Sequence, residues 1–328
     1  MNKKAIMLLF TIVLIANVVI AVLKVNNEEN EIEGSEEKIK IIATLFPQYD
    51  FARVVGGDKV DVQLLLPSGV ESHSYEPTPK DMIKINEANI FAYTGEQMEP
   101  WAEVIASSID SDTLILNTTK NVEFIKEEGH EHSDEEETNH SEEENHSHET
   151  EEHEYDPHIW LDPQNAIVMV ENIKNALIEV DQENKEYYEE NANKYIENLK
   201  NLDKNIEKAI EEGKINKIAF GGPFSYSYFI KRYDIEYISA YESCSGEAEP
   251  SVSKVKLVIE EIKKDKLPIV FYESLSSGNI AKTISEETGT TILDFHTVHN
   301  VSEEQIGNGA TYISLMEQNL KNLKKALN

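Results

Sequence analysis

The side chains in this sequence best suited to chemistry are its ten histidines, read beside a single cysteine, Cys244. A lone cysteine excludes an intramolecular disulfide and any multi-cysteine zinc site, so metal chemistry here must use imidazoles and carboxylates. The histidines fall into two groups. Six of them (His130, His132, His140, His146, His148 and His153) lie within residues 127–154, together with 13 Glu and one Asp. The other four, His73, His158, His296 and His299, each stand next to the end of an expected strand or helix. That placement matters because ligands of α/β sheets gather beyond the carboxyl ends of the strands. His158 sits in Asp156-Pro157-His158-Ile159-Trp160-Leu161-Asp162-Pro163, where Pro157 stiffens the chain and Asp156 is placed to orient the imidazole from behind. His296 and His299 flank Thr297-Val298 and either coordinate together or cap the preceding strand.

The elements that must hold these residues follow from pattern. Apolar runs at 39–45, 60–66, 90–93 and 114–116, broken by Pro-Ser-Gly and Gly-Gly turns, predict strands alternating with short helices after Pro47 and over 79–87. Asp162-Pro163 is a helix start, with Asp as N-cap and Pro at the first helical position, leading to a helix that ends near Val180. Tyr188, Ala192, Tyr195, Leu199, Leu202, Ile206 and Ala209 then repeat at alternating spacings of four and three, one apolar stripe on a long helix ending at Gly213. The stripe fits either a short coiled-coil seam or a backbone helix between two lobes. A second series follows: strands at 218–220, 236–239, 269–272 and 291–293, with helices over 224–232, 251–265, 278–287 and 309–327. Phe224, Tyr226 and Tyr228 read as core and hinge packing. The expected fold is therefore α/β: two similar lobes with mainly parallel sheets, residues 38–180 and 214–328, joined by one long helix at 181–213.

Charge and termini narrow the compartment and the partners. The chain carries 62 acidic against 30 basic side chains, a formal net of -32, which repels nucleic acid and anionic lipid and attracts cations. Residues 127–154 supply -14 of that charge, contain no Lys, Arg or large apolar residue, and are predicted to be disordered. Lys3 and Lys4 precede an apolar run over residues 5–23, which reads as an export signal or a retained membrane anchor; residues 24–37 form a polar tether. The protein is expected outside the cytoplasm: membrane-anchored at the cell surface, periplasmic or secreted.

The motifs carry a resemblance. His73-Ser74-Tyr75-Glu76-Pro77, running into Thr78-Pro79-Lys80-Asp81, and the Asp156–Pro163 segment are similar to the two N-lobe signatures of the zinc/manganese solute-binding proteins of ABC importers, cluster A-I, zinc-uptake type. Glu249-Pro250-Ser251 resembles the Glu-Pro-Ser of the family's C-lobe, and Asn308 to Leu323 its closing helix. A His/Glu-rich insertion before the second signature is typical of the zinc-selective members. The resemblance runs in one order over residues 38–328. It implies a metal site between the lobes with His73 and His158 as the first ligands. The family's third ligand, a His in a His-x-Ala-Phe-x-Tyr segment, meets Gly221 in Gly221-Gly222-Pro223-Phe224-Ser225-Tyr226. Its fourth position aligns with His296. The implied set is thus His73, His158 and His296, completed by water or by His299 or Glu242.

Three imidazoles plus water or a carboxylate suit tetrahedral Zn2+, with ligand distances of about 2.0–2.2 Å. They disfavour Ca2+ and Mg2+, which want oxygen alone, and exclude Mn2+ less firmly. The leading expectation is a monomeric, non-enzymatic receptor that binds Zn2+ as cargo and delivers it to an ABC permease and its ATPase. The acidic loop reads either as a solvated linker or as an accessory zinc-collecting segment. A manganese receptor of the same family is the alternative. A zinc hydrolase would also use three ligands and an open position, but the sequence has no His-Glu-x-x-His helix and no placed acid or base. A surface adhesin ranks last, since no extra module is present.

Overall fold

A computed structural model describes residues 38–70, 72, 75–109, 112–125, 155–241 and 250–328. The expected signal, tether and acidic loop, with His73 and Glu242, lie outside the described residues.

Among the described residues eight strands form two four-stranded sheets, both wholly parallel. The first contains β1 (Ile39–Ala43), β2 (Val60–Leu64), β3 (Ile90–Tyr93) and β4 (Leu114–Asn117) in the order β2-β1-β3-β4. The second repeats the pattern with β5 (Lys217–Phe220), β6 (Glu236–Ser239), β7 (Ile269–Glu273) and β8 (Thr291–Phe295), in the order β6-β5-β7-β8. In each sheet the chain reverses direction of travel across its first strand. The crevice for a ligand should therefore open beyond the ends of β1 and β3 in one sheet and of β5 and β7 in the other.

Period-two alternation explains why the strands are apolar on both faces. Ile41, Ile90, Ala92, Ile218, Phe220, Ile269 and Phe271 enter one continuous core. Their neighbours Ile42, Phe91 and Tyr93 face a second cluster, and Ala219 and Val270 a third. The second cluster is covered by α2 (Pro79–Asn86) and α3 (Pro100–Ser108), which supply Ile85, Ala102 and Ile105. The third is covered by α7 (Val252–Asp265) and α8 (Asn279–Thr288), through Val258, Ile262, Ala281 and Ile284.

The continuous core is shared by both sheets because the remaining long helices lie against it. These are α1 (Phe46–Gly56), α4 (Pro163–Val180), α5 (Lys185–Glu211) and α10 (Tyr312–Ala326). Every residue of the apolar stripe read from the sequence is buried on α5, which packs on α4, α1 and α10. The Asp162 carboxylate caps α4 by accepting from Gln164 N at 2.8 Å. Two helices went unpredicted. One is α3, which starts at Pro100; the other is α9 (Glu303–Gly307), only five residues long. The helix expected over 224–232 is shorter and later, α6 (Ser227–Tyr233), because Phe224 and Tyr226 pack in the core ahead of it.

Candidate metal centre

Three chain segments meet where the sequence places its folded histidines. The first is the turn at Pro67–Val70 beyond β2. The second is the Asp156–Leu161 segment leading into α4, and the third is the His296–Asn300 loop beyond β8. Hydrogen bonds tie them together. Trp160 donates from its indole nitrogen to the Thr297 carbonyl at 2.7 Å, joining the second and third. Asn300 donates from its side-chain amide to the carbonyls of Pro67 and Val70, both at 2.8 Å, joining the third to the first. Phe46 N donates to the His299 carbonyl at 3.0 Å, so the start of α1 also holds this loop. The Tyr312 hydroxyl donates to the Trp160 carbonyl at 2.5 Å.

His158 is buried, and its Nδ1 lies 2.9 Å from Asp156 Oδ1, which also accepts from the His158 backbone N–H at 2.8 Å. A carboxylate only accepts, so the proton sits on Nδ1 and the lone pair on Nε2. Burial alone would raise the Asp156 carboxyl. The hydrogen bonds from the His158 ring and backbone N–H, with that of the Ser227 hydroxyl, outweigh it and hold the group below the usual carboxylate range. The result is an imidazole with fixed tautomer and fixed orientation, the form a zinc ligand requires.

The two C-lobe histidines differ. His296 Nδ1 accepts the Val298 backbone N–H at 2.9 Å, and its Nε2 faces the Gln305 side-chain nitrogen at 3.2 Å. The Gln305 oxygen is engaged by Ser302 N at 2.8 Å, which keeps that amide nitrogen turned to the ring. The Val298 N–H takes the one lone pair of the neutral ring at Nδ1, which puts the His296 ring proton on Nε2. Burial pushes its pKa down to about 4. Its backbone is clamped on both sides by Asn319, which accepts from His296 N at 2.7 Å and donates to His296 O at 2.8 Å. His299, also buried, has Nδ1 2.7 Å from Thr297 Oγ1, and that hydroxyl donates to Glu273 Oε1 at 3.2 Å.

Between them Val298 adopts φ 63°, a left-handed conformation that a β-branched residue rarely takes. Such strain costs on the order of 1–3 kcal/mol and persists only where the surroundings enforce it, as buried Val298 and its bonded neighbours do.

Gly221 closes β5 and donates to the Phe271 carbonyl at 2.8 Å. A Cβ there would stand 2.7 Å from Ala281 Cα and 2.9 Å from Ala281 N, both backbone atoms of α8. A larger side chain at this position would meet the start of that helix. Sequence reasoning missed Glu273, Thr297 and Asn300. Glu273 stands at the end of β7, beside the reversal point of its sheet, and that position was the one available signal. Among the described residues no group of three or more His, Cys, Asp or Glu side chains is gathered to hold a metal ion.

Comparison with known proteins agrees with this architecture. A family model described as zinc-uptake complex component A, periplasmic, matches residues 41–326. The chain is 33% identical over 296 residues to the high-affinity zinc uptake system protein ZnuA of Bacillus subtilis, covering 90% of this chain and 89% of that one. It is 33% identical over 297 residues to the zinc-binding lipoprotein AdcA of Streptococcus pneumoniae, covering 89% of this chain but 56% of AdcA; the chain spans about half the length of such relatives. Among solved structures, the Zn(II)-bound ZnuA-like domain of Streptococcus pneumoniae AdcA superposes with a TM-score of 0.71 at 30% identity, covering 89% of this chain and 99% of that domain.

Proposed function

The chain belongs to the ZnuA family of zinc-uptake components, and from that premise we propose that it captures Zn2+ outside the cytoplasm and hands it to an ABC permease. No chemistry is performed on the cargo. The observation that carries the reading is His158, buried and wired through Asp156 to present Nε2. The proposed ligands are His73, His158 and one C-lobe imidazole. His299 is favoured over His296, because the Val298 N–H occupies the His296 Nδ1 lone pair and leaves the ring proton on Nε2. Glu242 or water completes a tetrahedral set. The donor chemistry fits zinc: His158 is a buried imidazole whose tautomer is fixed by a carboxylate acceptor, and His299 is buried beside a hydroxyl. Residues 127–154, with their six histidines, act as an accessory collector of weakly held metal. The permease and its ATPase are the proposed partners, with the chain held at the outer face by its N-terminal segment or released from it.

A competitive titration of Zn2+ against Mn2+, run on the whole chain and on a form lacking 127–154, tests this reading. The expected result is one tight zinc site in both forms, lost in His158→Ala. Only weak sites after the deletion would make the loop the principal binder and remove the basis of the receptor reading. Tighter manganese binding would keep the family and change the cargo.

A further inference from the structure

We propose that Glu273, acting through the Thr297 hydroxyl, is the positioning residue that fixes His299 with its lone pair on Nε2; this rests on His299 being the C-lobe ligand. Three distances define the relay. Thr297 Oγ1 lies 3.2 Å from Glu273 Oε1 and 2.7 Å from His299 Nδ1, while Glu273 Oε1 and His299 Nδ1 stand 4.0 Å apart. Glu273 Oε1 accepts the Thr297 hydroxyl. The single hydroxyl proton of Thr297 therefore goes to Glu273. The Thr297 oxygen then accepts, and the proton it accepts must come from His299 Nδ1. That leaves the lone pair on Nε2. The opposite arrangement, with Thr297 donating to His299, would set the hydroxyl lone pairs against the carboxylate.

The relay matches what Asp156 does for His158 directly, one bond longer. It also separates His299 from His296, whose Nδ1 accepts a backbone N–H and so cannot carry the proton. Glu273 belongs to β7 and His299 to the loop beyond β8. The chain therefore sets this tautomer from the strand adjacent to the ligand's own, across the loop strained at Val298.

Long-range proton–nitrogen NMR of the metal-free full chain, above the imidazole titration range, reads each histidine's tautomer without any metal. The expected result is Nδ1–H for His299 in the wild type. Thr297→Val and Glu273→Gln should move His299 toward Nε2–H, since the amide of the latter can donate to Thr297 and reverse the relay. Both should weaken zinc binding roughly 10- to 100-fold. Thr297→Ser keeps the hydroxyl and should retain the tautomer and the affinity, which separates the relay from a packing defect. A wild-type His299 protonated on Nε2, or a tautomer unmoved by both variants, would overturn the proposal. Tautomers that shift as expected while His299→Ala leaves zinc affinity intact would uphold the relay and overturn the ligand assignment instead.

Discussion

Each of the three described histidines in the folded part of the chain has a distinct electrostatic setting, and each setting makes a prediction. Asp156→Asn replaces an acceptor with a group that can donate to His158 Nδ1. It should cost zinc affinity roughly 10- to 100-fold in a titration while leaving the fold intact. His296 behaves differently because its folded pKa, about 4, lies below the ordinary 6.5. Below pH 6.5 the unfolded chain binds a proton that the folded chain refuses, so stability falls as pH drops from about 6.5 toward 4. The loss should be on the order of 3 kcal/mol. His296→Gln should flatten that stretch of the stability curve in chemical denaturation run at several pH values. Gly221 carries a steric prediction: Gly221→Ala should destabilise by about 1–3 kcal/mol, since Ala281 backbone atoms lie within 3 Å of the new Cβ. Restoring the family histidine there would add strain rather than a ligand.

At the scale of elements, the described residues on either side of the segment that carries the most histidines are tied together. Asp156 N donates to the Ile125 carbonyl at 3.1 Å, and Ile125 N is held by the Tyr228 hydroxyl at 3.0 Å. The Phe124 and Tyr155 rings pack edge to face 6.0 Å apart. With its two ends already joined, deletion of 127–154 should leave the thermal midpoint almost unchanged by circular dichroism. The same contrast shows what the sequence made legible. Strands and long helices could be read because their burial repeats at periods of two and 3.6, as Ile41 and Ile42 or the Tyr188 to Ala209 stripe do. Asp156 was legible as a partner of His158 because it lies two residues away. Glu273, Thr297 and Asn300 were not, since what they do depends on strand neighbours and loop ties: Asn300 reaches residues more than 200 positions earlier.

For the molecule as a whole, two carboxylates join helices from both halves of the chain. Asp203, on α5, accepts from Gln164 on α4 at 2.7 Å. It also accepts from Arg232 and Tyr233 on α6, both at 2.8 Å. Asp50, on α1, accepts from the Tyr195 hydroxyl on α5 at 3.0 Å and from Tyr312 N at the start of α10 at 2.8 Å. With one core continuous between the sheets, these ties limit how far the halves can separate. Scattering profiles of the metal-free and zinc-loaded chain should therefore superimpose, and Asp203→Ala should lower stability by about 1–3 kcal/mol by leaving its donors unpaired. The central proposal is that zinc is held where the His158 and His299 loops are tied together. Anomalous diffraction at the zinc edge from crystals of the loaded chain tests it most directly. The account predicts one strong peak about 2.0–2.1 Å from Nε2 of His158 and of His299, with His73 completing the imidazole set. A zinc peak remote from His158, or zinc confined to residues 127–154, would contradict it.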